Sequence, residues 1–322
     1  MPLDFSEISD ELHKQIRKNF TRRKVVSLHV NEIWGTDLID FQEYEKENDG
    51  FKYLLSIIDV FSKYAWLVPL RDKKATTITK AFHKVIEDSG TQPKQIWSDK
   101  GGEYWNAEFG KFLKKNNIGH YSTYGDSKCV VAERFNRTIK TWIWKYFTAK
   151  HTRNWVNILD EINDYYNQQK HRSIGMKPID AIKKENYQKV FDKLYGETLH
   201  EMINAPPEKP KFDVDDVVRV GRIKETFEKG FHDTFTRETF KVNEVLPTYP
   251  ITYRLVDMKN KPIEGSFYTA ELLKTKEPEF YEIDNIVKEK TVKGKKKYLV
   301  HWLGWPKAYD SWLDADELVD IH

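Results

Sequence analysis

Residues 53–59 and 64–70 form near-continuous apolar runs, and the segment beginning at Asn31 already has a strand-like pattern. Uninterrupted runs of this length fit strands covered on both faces. From Thr76 the period changes. Ile78, Phe82, Val85 and Ile86 recur at helical spacing until Gly90 ends the stripe. A strand over 94–99, a helix over 106–116 and a short strand over 118–122 are predicted next. Three strands followed by alternating helices and strands predict a mixed α/β domain of three layers.

A long helix is predicted around Glu133. Val131, Phe135, Ile139, Trp142 and Tyr146 recur at spacings of four and three and predict its buried stripe. Glu133, Arg137 and Lys140 fall on another side. A second amphipathic helix is predicted over 155–167, and Met176-Lys177-Pro178 opens a shorter one. Composition shifts after residue 195, where Pro206, Pro207 and Pro210 mark a linker. Short β-rich runs at 216–220, 239–242, 252–256 and 266–268 then predict a small barrel. The last stretch predicts strands at 281–292 and 297–302, a turn at Lys293-Gly294 and a closing helix over 315–319.

Composition narrows the class. A chain of 322 residues predicts two or three domains, and 32% charged against 39% apolar residues fits a soluble globular protein. The net charge is only +3, but it is unevenly placed. Residues 13–24 carry six Lys or Arg and no acid, and residues 128–153 carry seven against the single Glu133. Such stripes suit a polyanion partner, or plain solvated faces. The lone Cys129 excludes an internal disulfide framework and a cysteine-rich zinc site. No run approaches the ~20 apolar residues of a membrane span, and the first residues lack a signal-peptide pattern. No membrane partner is expected, and a nuclear or cytosolic location follows.

Three acids stand in contexts that suit a carboxylate aimed at a metal. Asp37 lies within a predicted strand, Asp99 closes another just before Lys100-Gly101-Gly102, and Glu133 begins the long helix. Phosphoryl transfer on DNA calls for two Mg2+ ions roughly 3.5–4 Å apart, held by carboxylates that rigid elements bring together. Asp40, Asp59 and Glu103 are acids in similar settings, so spacing alone leaves the choice open.

Four motifs occur in order: Trp34-Gly35-Thr36-Asp37, Ile58-Asp59-Val60-Phe61-Ser62-Lys63-Tyr64, Ser98-Asp99-Lys100-Gly101-Gly102-Glu103-Tyr104 and Glu133-Arg134-Phe135-Asn136-Arg137-Thr138. Together they resemble the catalytic core of retroviral-type integrases, in the DDE transposase superfamily. The match spans about residues 31–185 and includes Tyr166-Asn167, His171-Arg172-Ser173 and Lys177-Pro178. The resemblance implies a ribonuclease-H-like fold with Asp37, Asp99 and Glu133 as catalytic metal ligands. It further implies two Mg2+ (or Mn2+) ions per site, trimming of an element's 3′ ends, strand transfer into target DNA, and a homo-multimer. Lys128, Arg134, Arg137 and Lys140 would lie along DNA. Motifs such as Glu11-Leu12-His13-Lys14 and Trp144-Lys145-Tyr146-Phe147 look most like integrases of Polinton/Maverick elements and related virophages. Two features depart from retroviral relatives. Residues 1–30 hold no cysteine and only His13 and His29, short of the His/Cys zinc module, and the segment before Glu133 lacks a proline- and glutamine-rich loop.

Residues 212–274 resemble the SH3-like domain of retroelement integrases, with Arg219, Arg222, Lys224, Lys229 and Arg237 as candidate DNA-backbone contacts. Residues 281–322 resemble a chromodomain. Tyr281, Trp302 and Trp305 fall where that family places its methyl-lysine cage, whereas Trp312 is expected in the core. Tyr309 stands in place of the acid that often lines the cage. A quaternary ammonium is held by ring quadrupoles, and an extended histone tail adds as a strand. The predicted division is a basic arm (1–28), a catalytic core (29–190), a linker (191–211), an SH3-like barrel (212–276) and a chromodomain (279–322). The leading expectation is a nuclear DNA integrase of a transposable element that reads a methylated histone tail. Rival readings are a non-catalytic chromatin-binding protein derived from such an element, and a metal-dependent nuclease without joining activity.

Overall fold

In the computed structural model, which describes residues 7–16, 20–23, 25–122, 129–204, 209–222, 233–276 and 281–318, the apolar run at 53–59 is a strand with all seven residues buried. A short helix, α1 (Glu7–Leu12), precedes β1 (Ile33–Asp40), β2 (Tyr53–Asp59) and β3 (Ala65–Leu70). Then come α2 (Ala75–Ser89), β4 (Gln95–Trp97), α3 (Ala107–Lys115), β5 (Gly119–Tyr121), α4 (Val130–Lys150), α5 (Leu159–Gln168), α6 (Pro178–Ala181) and α7 (Tyr187–Asn204). The chain divides into two compact units: Lys24–Ala205, and a second made of Met1–Arg23 with Pro206–His322.

The first unit is built on a five-stranded sheet of order β3-β2-β1-β4-β5. β1 pairs antiparallel with β2 and parallel with β4, so the sheet is mixed. Strand alternation sends neighbouring residues to opposite faces. Trp34, Leu55 and Ile57 pack with Ile78, Phe82 and Val85 of α2 and with Phe109 and Phe112 of α3. Ile33, Ile39, Leu54 and Ile58 pack on the other face with Phe135, Ile139 and Ile143 of α4 and Ile162 of α5. These are the three layers that the apolar pattern predicts.

Local signals explain the helix ends. Gly90 takes φ +63° and closes α2. Asn106 caps α3, its side-chain oxygen accepting from the Phe109 amide at 2.8 Å. Asn48 is buried and joins distant segments: its oxygen accepts from the Trp155 amide at 2.7 Å, and its amide donates to the Arg153 carbonyl at 2.9 Å.

The stripe expected on α4 is rotated. Its buried residues are Ala132, Phe135, Asn136, Ile139, Ile143 and Phe147, while Val131, Trp142 and Tyr146 are only partly buried. The reason is Gly35. A Cβ built there would stand 2.5 Å from Cys129 Sγ and 3.8 Å from Ala132 Cβ, so the bare glycine lets the start of α4 settle on β1 through its smallest side chains. Large residues at 142 and 146 misled the periodic count, because helix placement here follows the point of closest approach.

The second unit contains β6 (Val217–Gly221), β7 (Phe235–Leu246), β8 (Thr252–Val256), β9 (Phe267–Tyr268) and β10 (Leu272–Lys274), followed by β11 (Ile283–Val292), β12 (Lys295–Trp302) and β13 (Ser311–Asp314). The first five form an antiparallel sheet of order β10-β6-β7-β8-β9 around Phe212, Val218, Val242, Tyr253 and Leu255. The last three form a separate antiparallel sheet. Helix α1 belongs to this unit. Leu12 is buried, and its carbonyl accepts from the Thr234 amide at 2.7 Å and the Thr234 hydroxyl at 2.9 Å.

Three expectations need correction in this unit. Arg219, a candidate DNA contact, is only 2% exposed; it donates to Glu11 Oε2 at 2.9 Å and to the Thr236 and Arg237 carbonyls at 3.2 and 2.7 Å. Its charge is consumed internally. Trp312, expected in the core, is 37% exposed, with Lys290 Nζ 3.8 Å from its ring centre. The closing helix is a single 3-10 turn over Ala315–Glu317, with Asp314 and Glu317 bonded reciprocally to each other's backbone amides. Among the described residues no helix is long and apolar enough to cross a membrane.

Two stability measurements follow. Gly35→Ala is expected to lower the unfolding free energy by about 1–3 kcal/mol through overpacking, and adding Cys129→Ala should recover most of that loss in a denaturant-midpoint double-mutant cycle. Strict additivity would contradict the close approach. Arg219→Ala should cost about 3 kcal/mol by breaking a buried ion pair, and a shift under about 0.5 kcal/mol, the range of ordinary surface changes, would show that the pair is structurally idle.

Candidate active site

Gly35 and Asp37 are two apart on β1, so both face α4. The approach that Gly35 permits brings Asn136 within reach. Asn136 Nδ2 donates to Asp37 Oδ2 at 2.9 Å, while Asp37 Oδ1 accepts from the Leu38 amide at 2.9 Å. Glu133 lies one turn before Asn136 on α4, where residues three apart are neighbours about 5–6 Å apart. It is exposed in the first turn of the helix, with its amide donating to the Cys129 carbonyl at 2.9 Å. Burial pushes the Cys129 thiol up to about 12, with the nearby Asp37 charge adding to the effect. This thiol stays protonated and acts as packing.

Asp99 reaches the same edge from β4. The parallel register pairs Gly35 with Trp97; Asp37 follows two residues on within β1, and Asp99 lies two residues past the end of β4, which stops at Trp97 short of the strand expected over 94–99. Neighbouring strands lie about 5 Å apart. Tyr104 reports on both. It is fully buried, its hydroxyl lies 3.3 Å from Thr36 Oγ1, and its phenol is held well above the ordinary range by burial, with Asp37, Asp99 and Glu103 each adding. One phenol thus lies within electrostatic reach of Asp37, Asp99 and Glu103.

The turn after Asp99 is tightly organised. Asp99 Oδ1 accepts from the Gly101 amide at 3.1 Å, and its carbonyl accepts from Trp105 Nε1 at 2.8 Å and from Ser98 Oγ at 2.8 Å. Trp105 stacks on His120 with ring centres 4.4 Å apart. A Cβ at Gly101 would meet the Glu103 carboxyl at 2.6 Å, so this glycine makes room for an acidic neighbour.

The other acids in strand-like runs have local employment. Asp40 is exposed and accepts from Gln42 Nε2 at 2.8 Å and the Gln42 amide at 2.9 Å. Asp59 is fully buried and closes the 59–64 turn by accepting from the Asn31 amide at 2.7 Å and from the Ser62 amide and hydroxyl at 2.6 Å. Burial raises its carboxyl above the usual range, against the pull of those hydrogen bonds and of Lys63. Lys63 beside it is pushed down to about 8 by burial.

The structure therefore sets Asp37 on β1 and Asp99 just past the end of the adjacent β4, and places Glu133 one helical turn from the Asp37–Asn136 bond. Among the described residues, no three His, Cys, Asp or Glu side chains stand close enough to hold a metal ion as they are. The donor set still fits a hard divalent cation, since it offers carboxylate oxygens. The buried Asn136 Oδ1 also has no hydrogen-bond partner among the described residues. Asn136 is a site residue that the apolar pattern does not single out; its signal was a polar residue at the three-residue spacing from Glu133. Tyr104 closes the Asp99 motif and Trp105 follows it, and neither had an assigned role.

The expected DNA contacts divide. Arg134, Arg137 and Lys140 lie exposed on α4, Arg237 is paired with Asp233 and Glu282, and Lys128, Lys224 and Lys229 lie outside the described residues. Arg222 is exposed, with Nη1 3.4 Å from the Asp233 carbonyl oxygen. In the three-stranded sheet region, the Tyr281 ring centre is 5.9 Å from that of Trp302 and 5.4 Å from that of Trp305, both edge-on. Trp302 Nε1 donates to Ser311 Oγ at 3.0 Å, which fixes one ring by its polar edge.

Comparison with known proteins bears on the fold and on two segments of the chain. The Integrase core domain family matches residues 27–124, and the Chromo (chromatin organisation modifier) domain family matches residues 281–322. A transposon-derived protein of Caenorhabditis elegans is 32% identical over 200 residues, 62% of this chain and 65% of that protein. The retrovirus-related Pol polyprotein from transposon TNT 1-94 of Nicotiana tabacum is 32% identical over 130 residues, 39% of this chain and 10% of the polyprotein. The chain thus spans less than two thirds of either relative. A cryo-EM structure of the simian T-cell lymphotropic virus intasome, in complex with the PP2A regulatory subunit B56 gamma, matches at TM-score 0.55 and 17% identity, covering 82% of this chain and 84% of that one. A shorter match, at TM-score 0.42 and 22% identity, covers 49% of this chain and 100% of the HTLV-2 integrase catalytic core domain, solved in complex with magnesium. These relatives give no support to the narrower Polinton/Maverick grouping. The fold is the ribonuclease-H-like α/β core of integrases followed by strand-rich regions, and the chain carries an integrase core domain and a C-terminal chromodomain with transposon-derived relatives.

Proposed function

We propose that this chain is the DNA integrase of a transposable element, a DDE-type polynucleotidyl transferase that works in the nucleus on element ends and chromatin-borne target DNA. The observation that carries the reading is the Asp37–Asn136 bond. It ties a strand-borne carboxylate to the helix that bears Glu133, beside the strand β4 that leads into Asp99.

Asp37, Asp99 and Glu133 would hold two Mg2+ (or Mn2+) ions, which when bound stabilise charge on the attacking and leaving oxygens of an in-line displacement. Asn136 keeps one Asp37 oxygen turned toward α4. The Gly101 amide does the same for Asp99. Arg134, Arg137 and Lys140 offer cations to the DNA backbone, giving affinity and register rather than sequence choice. The net chemistry is hydrolysis near each 3′ end of the element, then attack of each new 3′-hydroxyl on a target phosphodiester. Two ends must be joined together, so the working form is a homo-multimer. Tyr281, Trp302 and Trp305 would cage a methylated lysine of a histone tail and hold the enzyme at chromatin.

One observation favours a second reading. The three carboxylates are not gathered within metal-holding distance among the described residues, as would suit an element-derived chromatin-binding protein without catalysis. A nuclease without joining activity is the third outcome that the same assay separates.

With Mg2+ or Mn2+ and an element-end duplex, the full chain is expected to give trimmed 3′ ends and branched strand-transfer products, abolished by chelation. Asp99→Asn should cut the rate at least a hundredfold, about 2.7 kcal/mol of barrier, and Asn136→Ala should slow it by roughly tenfold, about 1.4 kcal/mol. Full activity of Asp99→Asn would remove the assignment, and cleavage without branched products would select the nuclease. Trp302→Ala should weaken binding of a trimethyl-lysine peptide by roughly 2- to 30-fold, the worth of one cage ring.

A further inference from the structure

The three cage residues sit on segments that are fastened to the neighbouring five-stranded sheet. Tyr309 packs against Trp305 with ring centres 5.1 Å apart, and its hydroxyl donates to Asp257 Oδ2 at 2.6 Å. Lys259 Nζ lies 4.3 Å from the Tyr309 ring centre and donates to the Ala308 carbonyl at 3.1 Å. On the other side of the cage, Arg237 Nη1 pairs with Glu282 at 2.7 Å, next in sequence to Tyr281. The Leu303 amide donates to the Glu282 carbonyl at 2.8 Å, linking the two segments. Gly304 takes φ +77°, and a Cβ there would stand 2.8 Å from Arg237 Cβ.

We propose that the five-stranded sheet is a positioning surface for the aromatic cage, so that affinity for methylated lysine depends on Asp257, Lys259 and Arg237, which lie on the sheet's strands and turns rather than in the cage. The inference rests on the cage reading of Tyr281, Trp302 and Trp305 and adds to it the part of the chain that sets their spacing.

Exposed pairs such as Arg237–Glu282 contribute little by themselves. Asp257 is different. It is 7% exposed, and its Oδ1 is already fixed by the amides of Lys259 and Lys261 at 2.9 and 2.8 Å. Burial works against its ionisation, but the bonds from Tyr309, Lys261 and Lys259 outweigh it and hold the carboxyl below its usual range. Oδ2 is thus a preset anionic acceptor aimed at Tyr309, and a hydroxyl-to-carboxylate bond of this length is of the strong class. Removing the donor leaves a buried charge short of a partner. Cage rings that stand edge-on at 5.4–5.9 Å must keep their spacing to admit an ammonium. A clamp on the 303–309 segment supplies that restraint.

The test uses the full chain and N-acetyl-trimethyl-lysine amide, titrated by broadening of the probe's trimethylammonium proton signal. Tyr309→Phe, which keeps the ring, and Asp257→Ala are expected to weaken binding three- to tenfold and to speed amide hydrogen exchange across residues 303–309. Unchanged affinity in both variants overturns the inference, whether or not exchange speeds up. No probe binding by the wild-type chain, with faster exchange in the variants, overturns the cage reading while supporting the clamp.

Discussion

The candidate site depends on how closely the start of α4 approaches β1. Gly35 has no side chain, Cys129 and Ala132 are small, and the helix can therefore descend until Asn136 bonds Asp37. Without that approach, Asp37 would lose its bond from Asn136, and the helix turn that carries Glu133 would stand farther from β1. The approach is a packing event first, since the helix buries Phe135, Ile139, Ile143 and Phe147 against the same sheet face. Chemistry is placed on top of it: the apolar face sets helix height, and the polar residues at its N-terminal end are carried along. The parallel pairing of β1 with β4 supplies the third element, since it fixes where Asp99 emerges.

The strand-rich unit follows a different logic. Its sheets are small, and buried polar contacts take over part of the work of a core. Arg219, Glu11 and Thr275 form one such group, in which Glu11 Oε2 accepts from both partners at 2.9 and 2.7 Å. That group fastens a helix from the start of the chain to strands more than 200 residues later. Asp257, Tyr309 and Lys259 form another, and it joins the five-stranded sheet to the cage segments. Both groups use a buried or half-buried ion to fix orientation, which apolar contact alone does not provide.

Much of the first unit was legible because its signals are periodic and dense. The run at 53–59 is a strand covered on both faces as expected, whereas that at 64–70 is the edge strand β3 with its four middle residues only partly buried; the α2 stripe ends at Gly90 as read. The candidate acids were legible as positions on predicted elements. Choosing among them was not, because Asp40 and Asp59 lie on strands as Asp37 does, and only their hydrogen bonds separate local employment from a place beside α4. The rotation of α4 was hidden for a related reason. Val131, Trp142 and Tyr146 are large enough to dominate an apolar count, but a glycine on another strand decides which face turns inward. Arg219 and Trp312 reversed their expected places because burial of a charge, or exposure of a ring, depends on partners far away in sequence.

The central claim is that Asp37, Asp99 and Glu133 converge on one divalent-cation site because α4 is seated on β1. Titration of the full chain with Mn2+, followed by electron paramagnetic resonance, tests it without reference to turnover. Saturable binding of two ions, weakened by each of Asp37→Asn, Asp99→Asn and Glu133→Gln and also by Gly35→Val, is the result expected. Mn2+ binding that is indifferent to Glu133→Gln and to Gly35→Val would contradict it.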